Sequence, residues 1–163
     1  MNYHIAQVNI AKMLAPLDSP IMADFVANLD RINQLAEASE GFVWRMQEYG
    51  NATAVRIYDD ESLLINMSVW KDVDSLFQYA YKSQHAEIFK RRKEWFDKMS
   101  QMHMALWYVP VGHQPDVNEA TQRLDHIRMH GDTPYAFTFK KRFSIDEFLS
   151  FYDINEKKFL PKT

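Results

Sequence analysis

Residues 79–115 read YAYKSQHAEIFKRRKEWFDKMSQMHMALWYVPVGHQP. An amphipathic run passes straight into an apolar, aromatic alternation and stops at Pro110-Val111-Gly112. The spacing predicts a long helix from Asp72 to about Met99, then a strand from Met102 to Val111. At about 100° per residue, Val73, Phe77, Gln84, Ile88 and Trp95 fall near one direction, with Tyr81 and Met99 close by. That is the core stripe. His85, Phe89, Arg92 and Phe96 make a second stripe, where a helix covering one sheet face turns polar. Either the helix is buried on both sides, or this stripe faces a pocket or a partner subunit.

Working outward, Tyr3 to Leu14 alternates as a strand. His4, Ala6, Val8 and Ile10 lie on one face and Ile5, Gln7, Asn9 and Ala11 on the other. Asp18-Ser19-Pro20 opens a first helix to Ser39, with Met22, Phe25, Val26, Leu29 and Ile32 at three- and four-residue steps. Gly41 ends it. Phe42 to Tyr49 reads as a second strand, with Phe42, Trp44 and Met46 on one face, broken at Gly50-Asn51. Val55 to Tyr58 reads equally as its continuation or as a loop. Leu63 to Trp70 is a third strand. Its core face is Leu63, Ile65, Met67 and Val69. The other face gathers Asn66, Ser68 and Trp70, two hydrogen-bonding groups beside an aromatic.

After the fourth strand, Asp116 or Asn118 caps a helix carrying Val117, Ala120, Leu124 and Ile127, stopped at Gly131. Tyr135 to Phe143 reads as a fifth strand. Ser144 and Glu147 have capping-box spacing before a short helix, Ile145 to Tyr152, and a charged tail from Asn155. The order β-α-β-β-α-β is the ferredoxin-like arrangement, an α+β fold with an antiparallel sheet, followed here by a helix-strand-helix extension. Both helices of such a unit lie on one sheet face. The other needs cover, which predicts a homodimer closing face to face. The expectation is one domain over residues 1–163, with a core at 3–143 and an appendage at 144–163.

The 163 residues are 47% hydrophobic and 25% charged, enough apolar material for a full core. A net charge of −3 gives no basic footprint for nucleic acid. Without cysteine there is no disulfide, thiolate-bound zinc, iron–sulfur cluster or thiol nucleophile. No signal-peptide pattern opens the chain, and no apolar run approaches the ~20 residues of a membrane span, so a cytoplasmic location with no membrane partner is expected. Phosphate-loop, dinucleotide and nucleophile-elbow motifs are missing.

An ordered set of residues then resembles a bacterial family of unknown function, domain-of-unknown-function family 3291. The set comprises Asn66-Met67-Ser68-Val69-Trp70, Tyr79 to His85, Arg91 to Phe96, Leu106 to Pro110 with Gly112, Pro115, Glu119-Ala120, Arg123-Leu124 and residues 131–139. Tyr108 and Asp132 depart from the tryptophan and proline expected there. The family looks like part of the dimeric α+β barrel superfamily, which includes small monooxygenases of antibiotic biosynthesis and a heme-dependent spheroidene monooxygenase. The resemblance implies a dimer and hints at oxygen chemistry on a small apolar or aromatic molecule; the fold also hosts non-catalytic binders.

His85 is the first candidate residue, as an acid–base group or, by that resemblance, a heme-iron ligand with Arg92 beside a propionate. The competing reading is a packed histidine with one hydrogen bond. Asn66, Ser68, Trp70, Phe89, Phe96 and Trp107 are the candidate substrate-binding residues. Together with His4, Asn9 and Arg45, the polar members of this set fit either a barrel interior or a dimer interface. His126 and His130 have the i, i+4 spacing of two metal ligands, but no third ligand accompanies them.

Overall fold

The computed structural model describes residues 2–47 and 56–159, with side chains as far as 154. β1 (Tyr3–Met13) is the centre of the sheet. On one side it pairs antiparallel with β3 (Leu63–Trp70), Asn9 opposite Asn66 and Ala6 opposite Val69. On the other it pairs with β5 (Met104–Pro110), Ala6 opposite Trp107, and with the two-residue β4 (Phe96–Asp97). β2 (Phe42–Arg45) borders β3. The order β2-β3-β1-β5 is that of the expected ferredoxin-like sheet, and every pairing is antiparallel. The fold is α+β, as the sequence implies.

Side-chain alternation divides the sheet into two faces. Ala6, Val8, Ile10, Ile65, Met67, Val69, Ala105, Trp107 and Val109 make one buried face. Ile5, Gln7, Ser68, Trp70 and Leu106 belong to the other. β1 is buried on both because helices lie on both. α1 (Ala23–Ala38) and α2 (Val73–Phe77) attend the second face, where Ala36 and Leu76 join the Trp70 cluster. α4 (Val117–His130) lays Ala120 and Leu124 across the first. The face expected to be bare is therefore covered within the chain, at least beneath α4, and needs no partner there.

The long helix expected from Asp72 to Met99 is not continuous. α2 gives way to a π-helical turn, Gln78–Lys82. The chain then extends at Ser83 and restarts as α3 (His85–Lys90), followed by a 3-10 turn at Arg92–Glu94. Phe96 pairs as β4 with Met13 instead of continuing a helix. The anticipated single stripe from His85 to Phe96 is thus split between two elements. Phe96 packs edge-on against Phe25 at 5.1 Å, and Trp95 sits 5.5 Å from the same ring.

Two further expectations change. A bulge between Phe42 and Trp44 turns them to opposite faces. Phe42 meets Trp70 at 5.4 Å, and Trp44 and Met46 pack with the other cluster. Residues 135–143 are not a strand. A single bridge joins Phe137 to Leu106 at the sheet edge, through hydrogen bonds of 2.7 and 2.9 Å. Local turns at Thr133–Ala136 and Thr138–Lys141 use up the neighbouring groups. The capping box at Ser144 and Glu147 forms in both directions, and α5 (Ile145–Phe159) runs past the expected end at Tyr152. The expected end of strand two at 48–49, the Gly50-Asn51 break and Val55 lie outside the described residues.

Candidate functional site

The second sheet face carries a polar line among aromatics. Gln7 Nε2 donates to Asn66 Oδ1 at 2.6 Å and to Ser68 Oγ at 2.9 Å. Trp70 Nε1 donates to the same Ser68 oxygen at 2.8 Å. Gln7, Ser68 and Trp70 are buried, whereas Asn66 is exposed between buried Ile65 and Met67. Phe25, Leu29, Ile32 and Leu35 on α1 are likewise only half-buried. Polar pairs tie α1 to the segment after β3: Arg91 to Asp24 at 2.9 Å, and Arg31 to Gln84 at 3.4 Å.

Tyr79 flanks the polar line. Its ring stacks on Trp70 at 5.0 Å, its hydroxyl donates to the Ile32 carbonyl of α1 at 3.3 Å, and the His85 ring lies 4.9 Å from it. His85 Nδ1 is 3.1 Å from the Ala80 carbonyl oxygen. A carbonyl only accepts, so Nδ1 carries the proton and Nε2 presents its lone pair. Burial pushes the His85 pKa below its ordinary value, opposed by the Ala80 bond. The ring is therefore neutral at physiological pH, and it is neutral in one tautomer.

The other expected residues are distributed differently. Ser68, Trp70 and Asn66 come together as read. Asn9 pairs across the sheet with Asn66, on the same face. Arg45 lies on that face too but is tied to Glu37 of α1 at 2.8 Å. Trp107 is on the opposite face, as strand alternation requires, and His4 shares its parity. Trp107 Nε1 donates to Glu119 Oε1 at 2.8 Å, while Glu119 Oε2 meets His113 Nε2 at 2.6 Å. Phe89 is 41% exposed, and the Arg92 guanidinium lies 4.3 Å over its ring while donating to the Phe89 carbonyl at 3.1 Å.

Heme was implied by resemblance only. His85 has the donor tautomer of an axial ligand. Its surroundings do not otherwise fit a porphyrin: Arg92, the intended propionate partner, is turned onto Phe89, the flanking Phe89 is on the surface, and Tyr79 packs on the imidazole. His126 and His130 stack on each other at 4.5 Å, and His126 Nε2 meets Thr133 Oγ1 at 2.9 Å. Among the described residues no three metal-ligating side chains converge.

The sequence reading missed Gln7, although it shares strand parity with Asn9 and so a face with Asn66. It also missed the Ala80 carbonyl and Ser83, for which the only signal was a polar Lys-Ser-Gln break in the helical pattern. An open groove of about 430 Å³, lined by Glu40, Asp72, Asp74, Gln78, Tyr79 and Ser83 among others, was not anticipated.

No curated protein is similar enough to count as a match. Among solved structures the chain is similar to SnoaB, described as a cofactor-independent oxygenase from Streptomyces nogalater. The two are 13% identical; the likeness covers 70% of this chain and 97% of that one, with a TM-score of 0.45, too low to carry a functional argument. No described helix is long and apolar enough to cross a membrane. The family profile for a domain of unknown function, DUF3291, matches residues 4–150, almost the whole described fold, and the chain belongs to that family.

Proposed function

We propose that this protein is a small-molecule enzyme of the monooxygenase-like kind, acting on an apolar or aromatic substrate held between α1 and the sheet. The observation that carries this reading is His85 Nδ1 at 3.1 Å from the Ala80 carbonyl oxygen, a contact that leaves Nε2 as the basic atom of the ring. A half-buried neutral base beside an aromatic stack suits removal of a proton from an acidic O–H or C–H of a bound aromatic. The base becomes an imidazolium, and the substrate an anion delocalised over its ring. Asn66, at the mouth of the polar line, is the group to orient a substrate oxygen. In this reading the buried Trp70, held by Ser68, and the Phe25–Phe96 pair supply the apolar surface for the ring. Trp107 is assigned no contact with substrate. Heme has no part in this reading, nor does Arg92.

The test is binding and turnover of a panel of phenolic and quinoid aromatics. Tryptophan fluorescence reads binding, and oxygen consumption with product mass reads turnover. His85→Ala is expected to lower turnover by about 10²–10⁴-fold, the usual contribution of a general base, with binding changed only a few-fold. Unchanged turnover in that variant refutes the role of His85. Binding without turnover by the native protein favours the alternative, a non-catalytic binding or accessory protein using the same site. That alternative has its own support: the Gln7, Asn66 and Ser68 groups already satisfy one another, as in a passive pocket wall. Added hemin should give no Soret band; a band lost in His85→Ala would restore the heme reading. A homodimer belongs to the proposal through the family resemblance, and sedimentation equilibrium decides it.

A further inference from the structure

The π-helical turn before His85 is built so that one hydroxyl joins both sides of the break. In a continuous helix the Ala80 carbonyl would accept from the backbone N–H of Gln84. Here the chain extends at Ser83, φ −98° and ψ −178°, and the His85 imidazole takes that carbonyl instead. Ser83 Oγ accepts the His85 backbone N–H at 3.1 Å and donates its own proton back to the Tyr79 carbonyl. Ser83 therefore caps the start of α3 and closes the end of the π turn at once. These two bonds fix the backbone of His85 relative to Ala80, five residues before it, and so fix which ring nitrogen meets the carbonyl. π turns recur at functional sites.

We infer that Ser83 is the positioning residue of this site, holding His85 in the Nδ1–H tautomer with Nε2 as its basic atom. This deepens the catalytic reading and rests on it for its purpose, but not for its test. The readout is the ring itself, by ¹⁵N–¹H long-range correlation spectra of the full chain at neutral pH. In the native protein, the His85 Nε2 resonance should fall at the position of an unprotonated nitrogen and Nδ1 at that of a protonated one. In Ser83→Ala both should move toward the averaged values of a free imidazole exchanging tautomers. Ser83→Thr keeps the hydroxyl and should restore the native pattern.

Losing a helix cap also lowers stability, so stability alone says nothing about positioning. If Ser83→Ala is less stable yet keeps the native His85 pattern, Ser83 is a cap only and the inference is overturned. If Ser83→Ala does not fold, Ser83→Gly, which disturbs a cap less, carries the same comparison. A native protein whose His85 already exchanges tautomers freely overturns it too. None of these outcomes depends on turnover, so the inference and the proposed reaction fail separately.

Discussion

At the scale of single residues, individual contacts set the expected effects. Gly41 has φ +82°, and a Cβ there would stand 2.2 Å from Ser75 Oγ. Gly112 has φ +90° and open space. Gly112→Ala should therefore lose only the left-handed penalty, about 1–2 kcal/mol, and Gly41→Ala clearly more, by urea unfolding. Ser68 accepts from both Gln7 and Trp70 while 6% exposed. Ser68→Ala leaves a buried indole N–H without its acceptor and should cost about 1–3 kcal/mol in the same assay. His126 titrates at about 4 in the fold, held down by burial first, then by His130 and Arg123. Its ordinary value is 6.5. Between these values the unfolded chain binds the proton and the fold does not. Stability is therefore fully present above pH 6.5 and falls as the pH drops toward about 4. His126→Gln should make that fall shallower without removing it, because His85 is shifted in the same direction.

At the scale of elements, a strong local signal survived wherever nothing distant competed with it. Asp116 caps α4 through the Glu119 N–H at 2.8 Å, and Gly131 ends it at φ +73°. Asp116→Ala should cost about 1 kcal/mol, seen as a lower midpoint in thermal unfolding. The same local logic read the capping box at Ser144. It failed in the stretch from Asp72 to Met99, whose apolar spacing is helical throughout. β1 offers its last residues, Lys12 and Met13, as partners for Asp97 and Phe96, and the chain leaves the helix to take them. Sequence periodicity records which residues are apolar, not which backbone groups find a better partner elsewhere. For the site this matters: His85 was legible as an odd residue, but its tautomer depends on a carbonyl exposed only because the helix breaks.

At the scale of the whole molecule, α4 changes the accounting of surface. Leu124 is fully buried between that helix and the sheet. Leu124→Ala should cost about 2–5 kcal/mol by denaturant unfolding, and light scattering should show more self-association, since the substitution loosens the cover over an apolar sheet face. Around α4 lie several residues that carry the family resemblance. Trp107 is joined to Glu119. Arg123 donates to the Tyr135 carbonyl at 2.7 Å and stacks on the Tyr135 ring at 3.7 Å. Asp132, a departure from the family pattern, accepts the Thr138 N–H through Oδ1 at 2.7 Å. The Trp107–Glu119 bond, with Arg123 5.8 Å over the Trp107 ring, ties α4 to the sheet, and the other two bonds hold the chain after α4. Trp107 is a joint of the fold on the face opposite Asn66.

By itself the sequence determined the four main strands and the helices α1, α4 and α5 in their order, the antiparallel ferredoxin-like unit, the apolar face of β3, the caps of α4 and α5, and the gathering of Asn66, Ser68 and Trp70. Each follows from short-range periodicity or from capping chemistry within a few residues. Only the tertiary structure decided that α4 covers the face opposite α1 and α2, that Trp107 and Asn66 lie on opposite sides of the sheet, and that residues 79–115 are not one helix and a strand. Those depend on pairings across the whole chain, β1 with β4 and Leu106 with Phe137, which no local pattern announces. The stripe of His85, Phe89, Arg92 and Phe96 resolves accordingly: a surface cation–aromatic pair, a ring packed against Phe25, and one imidazole bonded to a carbonyl that the break leaves open.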